Sequence, residues 1–319
     1  MCVLMQRIYQ RSTLTGLNNL EQYTLFYLIG IYIAFAAGLW SVAMGYFGRS
    51  KDPFSCLIIM RIPYVVMFFV CMVFGLYTLS DVQNLVHNHW PLITFGAGCS
   101  IIAVSLRMYA SKHMPVGTVT TIAAVCFILG VLGYEFLFMN TFPTLVQSIV
   151  ISGIIAGTLI LVSLRNHTSL DFLHLPIKAL SAATLCGLSN GVAFVSMGDI
   201  AREANPFATA IIYNLFIGIL VLFALGYRKK FHDMGFDEFD LKSFLGVCGT
   251  ACIGMTVAFG FAYGSTLGSV TVLAGLESSS IVVAALLSWL LLKEKLSTKQ
   301  WAAISFVTAC IIALKFLNY

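Results

Sequence analysis

Arg61, Asn214 and Glu277 are polar side chains set inside long apolar runs, and the first two stand 153 positions apart. A guanidinium receives a carboxylate or another anion through its fork of N–H donors. A carboxamide donates and accepts, and a carboxylate takes an ammonium or a proton. Together these are the means of holding a small charged solute. Tyr213 precedes Asn214, and Ser278, Ser279 and Ser280 follow Glu277, which adds hydroxyls to the set. Trp40, Asn190 and Tyr263 fall in other apolar runs that could face the same centre. Singly, each of these is more often a packing residue, and their weight is as a set. A plainer reading stands beside it, in which Arg61 and Glu277 neutralise each other as a structural pair. Arg107 and Glu135 lie nearer the ends of their runs, where a long side chain snorkels to the interface. Asp199 also reads as interfacial. His87 and His89 flank Asn88 beside Trp90 and read as solvated loop residues.

Covalent chemistry has no comparable support. No nucleophile–base constellation, phosphate-cradling glycine loop or paired-histidine metal motif is present. Cys248 and Cys252 are one helical turn apart but have no His or second Cys pair with them, so no metal is expected. The other cysteines sit mostly in apolar runs and act as small apolar residues. Neither an enzyme nor a cofactor is implied.

The elements that must position these residues are membrane helices. The chain is 59% hydrophobic and 10% charged, with mean hydropathy +0.93. Soluble domains carry about 25% charged residues, so the expected solvent here is lipid. The net charge of +5 is spread over short loops and argues against nucleic acid. A helix needs about 20 residues to cross the hydrocarbon. That ruler gives ten spans, at 24–48, 53–79, 91–110, 114–139, 146–164, 177–199, 206–227, 243–264, 268–292 and 299–317. Arg61 lies eight residues into the second span, about 12 Å down at 1.5 Å per residue. Glu277 is at similar depth in the ninth. Residues 1–23 read as a polar N-terminal segment, with the first apolar run retained as a span, and 165–176 as a linker.

The spans are written twice. Residues 38–59 and 191–212 align without a gap, with nine identities in 22 positions, among them Gly38/Gly191, Arg49/Arg202 and Pro53/Pro206. Tyr109-Ala110-Ser111 answers Tyr263-Gly264-Ser265, and after a three-residue indel Gly117-Thr118-Val119-Thr120 answers Gly268-Ser269-Val270-Thr271. Thr144 with Gln147, and Ser297 with Gln300, fit capping boxes opening the last span of each half. Two halves of five spans, 24–164 and 177–319, must enter the membrane opposite ways up. The expected fold is therefore all-α and multi-pass, with ten transmembrane helices as two inverted five-helix repeats. The usual work of such an architecture is moving a solute through a site at the repeat interface. Glycines four apart, at 153/157, 187/191 and 260/264, allow close helix approach, more simply within the chain than at a dimer seam. Lys and Arg crowd the odd-numbered loops, which alone puts both termini outside.

Gly268–Leu314 resembles the last two helices of EamA-type carriers of the drug/metabolite transporter superfamily. Leu276-Glu277 matches the Leu-Glu-Pro step of that family, with Ser278 in place of the proline. Leu290–Leu296, with Glu294, matches the turn into the final helix, and Gln300 closes it one position late. The first half carries a degenerate copy, with Asn140 in place of Glu294. The Leu-Glu step is similar to that of threonine/homoserine exporters. The resemblance implies a multi-pass protein of the plasma (bacterial inner) membrane, a central cavity, and export by alternating access coupled to protons or a counter-substrate. It also implies a supporting or dimer-forming fifth helix in each half, and termini on the side opposite to the charge bias. On that footing Arg61 would receive a substrate carboxylate, and Glu277 an ammonium or a coupling proton. Ile212-Tyr213-Asn214-Leu215 also resembles the Phe-Tyr-Asn-Asn-Leu stretch of nucleotide-sugar transporters, without the second Asn. Glu277 would repel a nucleotide diphosphate. A non-transporting scaffold or receptor, with Arg61 and Glu277 locked together, is the alternative of another class.

Overall fold

The structure is a computed structural model that describes residues 19–114, 116–139, 144–165, 176–227, 239–280, 282–283 and 298–316. The described residues form helices and turns, with no strand among them. In chain order the helices are α1 (Asn19–Ser50), α2 (Pro53–Ile59), α3 (Ile62–Val73), α4 (Leu79–His113), α5 (Val116–Tyr134) and α6 (Leu145–Arg165). The second half has α7 (Ile177–Glu203), α8 (Pro206–Tyr227), α9 (Leu241–Leu267), α10 (Val270–Ser278) and α11 (Thr298–Phe316). A π-helical turn, Glu135–Met139, extends α5. Among the described residues six segments are long and apolar enough to cross a membrane: α1, α2 with α3, α4, α7, α8 and α9. The expected linker lies almost wholly outside the described residues, as do Ser297 and the stretch 284–297 that would complete the ninth span.

Local chemistry sets the helix starts. Asp52 opens α2 by accepting from Ser55 N at 2.8 Å, with Pro53 at the first helical position, where its missing N–H costs nothing. Asn205, its counterpart 153 positions on, opens α8 the same way ahead of Pro206, accepting from Phe207 N and Ala208 N. Asn205 Nδ2 also donates to the Leu76 carbonyl at 2.9 Å. Thr78 and Asp81 form a capping box that opens α4 at Leu79, twelve residues before the span expected at 91–110. Its polar first turns therefore continue the helix, and His87 and His89 lie on α4, not in a loop. The preceding span ends at Val73, short of the expected 79, because the chain turns through Gly75 at φ +66°.

One break falls inside a span. Pro63 has no N–H for the Ile59 carbonyl, and its ring crowds that carbonyl. The helix stops at Ile59 and restarts at Ile62, leaving Met60 and Arg61 at the corner, where Arg61 N donates to the Ile58 carbonyl at 2.9 Å.

Helices of the two halves interlock. α1 packs along α9 and on α10, while α7 packs along α4 and on α5; α6 packs on α11, and α3 on α8. At the start of α1, Gln22 donates to the Leu267 carbonyl at the end of α9. At the end of α7, Arg202 donates to the Ser265 and Gly268 carbonyls at that same end. α1 and α7, the helices that open the two copies, therefore run in opposite directions. The glycine pairs are used inside the chain. A Cβ on Gly187 would meet the Ala123 carbonyl of α5, and one on Gly191 the Phe127 carbonyl. Gly38 of α1 bears in the same way on the Ser280 carbonyl, 2.9 Å from where its Cβ would stand. Phe69, Val73, Ile219 and Phe223 point outward from α3 and α8. Such an apolar exterior suits lipid.

Candidate solute-binding site

A cavity of about 80 Å³ lies where α1, the α2–α3 corner, α4, α7, α8, α9 and α10 meet. The break at Pro63 delivers Arg61 to it. The guanidinium Nη1 donates to Asn214 Oδ1 on α8, so the repeat-related pair meets directly. Asn214 Nδ2 is held in turn by the Ala210 carbonyl at 2.9 Å. Tyr64, one turn beyond Arg61, sets its ring 5.3 Å from the guanidinium carbon. Gly218 on α8 leaves room for the arginine stem: a Cβ there would come within 3.1 Å of Arg61 Cγ.

Opposite, Glu277 enters from the last turn of α10, which ends at Ser279 with its N–H on the Leu276 carbonyl. Trp40 of α1 lies over Gly254 of α9, and Asn190 comes from α7. Tyr213 lines the wall with its hydroxyl donating to the Ala193 carbonyl at 2.7 Å and lying 3.3 Å from Ser196 Oγ. Its seat is Gly96 of α4, where a Cβ would run into the phenol oxygen.

Trp40 Nε1, Arg61 Nε and Glu277 Oε2 are buried without a hydrogen-bond partner among the described residues, and all three residues line this cavity. A buried polar group left unsatisfied costs about 1–3 kcal/mol, and more when charged. Donors of a guanidinium and an indole, and a carboxylate acceptor, converge here unspent. They suit a small solute with acidic and basic groups. Arg61 and Glu277 do not form an ion pair within 4.0 Å. The structural pairing weighed from the sequence is not the arrangement found.

Of the eight residues expected to bind, Arg61, Asn214, Tyr213, Glu277, Trp40 and Asn190 therefore line one cavity. Ser278 lies beside it, lining an adjoining chamber and donating to the Ala124 carbonyl at 3.2 Å. Tyr263 is elsewhere, buried and stacked on Phe207 with the ring planes 23° apart. Its aromatic face is used for packing α9 on α8. Arg107 and Glu135 do not snorkel. Both are buried; Arg107 lines the adjoining chamber, and Glu135 accepts from Thr271 Oγ1 away from either space. Tyr64 and Ser100 also line the cavity and went unread. Tyr64 was legible in principle, since it lies three residues after Arg61 on the same helical face.

Residues 177–315 match the model of the EamA-like transporter family. No curated protein matches the chain. A solved structure described only as "Crystal structure of protein" superposes on it with a TM-score of 0.68, covering 90% of this chain and 96% of its own, at 18% sequence identity. That likeness is one of fold. The second half of the chain thus matches the EamA-like transporter model, and together with the six long apolar segments this marks an integral membrane protein.

Proposed function

We propose that the protein is a secondary transporter that moves a small polar metabolite, an amino acid or a relative, out across the plasma (bacterial inner) membrane by alternating access. The single observation that carries this is the central cavity, built from both halves, in which Arg61, Trp40 and Glu277 hold buried polar atoms without partners. A scaffold would be expected to satisfy them internally. Ten spans in two inverted five-helix repeats, 24–164 and 177–319, are part of the proposal. It is supported by the shared 153-residue offset of caps and glycines and by the opposed directions of α1 and α7. Glu277 takes the substrate's ammonium or a coupling proton, and Arg61 its carboxylate. α6 and α11, packed on each other with Ile149 and Phe306 outward, offer a face to lipid or to a second copy.

The cavity's size favours a small solute over a nucleotide sugar. Its volume of about 80 Å³ is well below the roughly 300–1,000 Å³ of pockets for drug-sized ligands. The test is flux of labelled amino acids in proteoliposomes. Arg61→Ala and Glu277→Gln should each abolish it while the protein still elutes as a folded species. Wild-type flux in either variant would overturn the proposal.

A further inference from the structure

The central cavity is not the whole of the buried polar space. A chamber of about 40 Å³ adjoins it and shares Ala37, Trp40, Asn190 and Glu277 as a common wall. Its far side is Arg107 of α4 and Thr120 of α5. Arg107 is as withdrawn from the surface as Arg61, each being 8% exposed. Arg107 Nη2 donates to Thr120 Oγ1 at 3.2 Å, and its guanidinium carbon stands 5.1 Å from the centre of the Trp40 ring. Trp40 is therefore between the chambers, with Arg107 against its face and its own Nε1 without a partner. Among the described residues no carboxylate lies within 4.0 Å of either arginine.

Charge decides what such a pair of chambers can take. Their walls hold two guanidiniums and one carboxylate, a surplus of one positive charge in a region that penalises unpaired charge. A solute with one carboxylate and one ammonium leaves that surplus untouched. A solute with two carboxylates and one ammonium removes it, with one acidic group at each arginine and the ammonium at the shared Glu277. The two spaces are small, about 80 and 40 Å³, which suits a short aliphatic skeleton.

We infer that the Arg107 chamber is a second anion subsite and that the solute is a small amino acid with an acidic side chain. The inference deepens the transporter reading and rests on it. The probes are L-glutamate against L-glutamine and L-aspartate against L-asparagine. Each pair has nearly the same size and differs in the second acidic group. They are titrated into the purified full-length chain in detergent by calorimetry, with melting shifts alongside. Each acid is expected to bind at least about tenfold tighter than its amide. Arg107→Gln should erase that preference, and Arg107→Lys should keep part of it. Equal binding of acid and amide by the wild-type chain overturns the inference, and so does a preference that survives in Arg107→Gln. The wild-type comparison decides alone if Arg107→Gln does not fold. Proteoliposome flux separates the two levels. Flux of the amides without preference for the acids sinks the subsite and leaves the transporter standing. No binding and no flux of any of the four sinks both.

Discussion

The two halves of this chain agree in their scaffold and differ in their charges. Asp52-Pro53 and Asn205-Pro206 open the same helix in each. Gly38 and Gly191 bear on a neighbouring carbonyl at matching places. Thr120 and Thr271, also matched, each bond a buried charge, Arg107 in one case and Glu135 in the other. The deep polar residues follow another rule. Arg61 stands at a corner made by Pro63, whereas Asn214 lies within the unbroken α8, which has Phe216 where the first half has its proline. Glu277 stands by the irregular turn at Ser279, whereas the residue nine past Gly117, as Glu277 is nine past Gly268, is Cys126 within the unbroken α5. Each half supplies one charge to the centre and one helix interruption beside it, in different spans. Duplication accounts for the frame. The proposed binding chemistry comes from where the copies depart from each other.

Exchanging the departures is the strongest way to break this comparison. The double variant Arg61→Asn with Asn214→Arg keeps both side chains but moves the charge onto the unbroken helix. With the charge displaced from the corner, solute affinity by calorimetry should fall at least about tenfold, roughly 1.4 kcal/mol. Full retention would mean that the two positions are equivalent and the corner irrelevant. A smaller effect is expected from Pro63→Ala, which returns an N–H to the Ile59 carbonyl. Stability should rise, by no more than the roughly 3 kcal/mol that an interior proline costs, and be read as a higher melting temperature, while proteoliposome flux falls. Unchanged flux with a raised melting point would make the break a tolerated defect. The smallest effect separates scaffold from site among the matched threonines. Thr120→Val and Thr271→Val should each lower stability by about 0.6 kcal/mol, typical of a side-chain hydrogen bond within a membrane protein. Only Thr120→Val should also weaken solute binding, since Thr271 and Glu135 line neither chamber.

Burial of the two central charges was legible in the sequence. Counting residues from Pro53 and Gly268 put Arg61 and Glu277 far from the polar edges, and both are buried at one cavity. The offset of 153 predicted nothing about contact, yet it relates two residues that bond to each other, as the proposed two-fold relation would require of positions near its axis. Arg107 shows the limit of the ruler. Three residues from the end of its expected span, it should reach the interface. Distance along the helix does not say which way the side chain faces, and here it faces Trp40 and Thr120. Tyr263, one residue from the end of its expected span, is turned to Phe207 and packs there instead. The early start of α4 was missed because hydropathy sees only the part of a helix that lies in oil. The Thr78–Asp81 cap was there to be read.

Gly38 and Gly191 also bear on how the bundle could move. At each of these crossings a bare backbone rests on a carbonyl with no side chain between. Nothing there has to switch rotamer for one rod to slide or roll over the other. Under the alternating-access proposal the two contacts would serve as bearings, placed at equivalent points on opposed helices, and a rocking motion of either half would turn on both at once. An added methyl at either would act as a pin through the journal, and at Gly191, where it would run into the Phe127 carbonyl, the resting crossing itself would have to open.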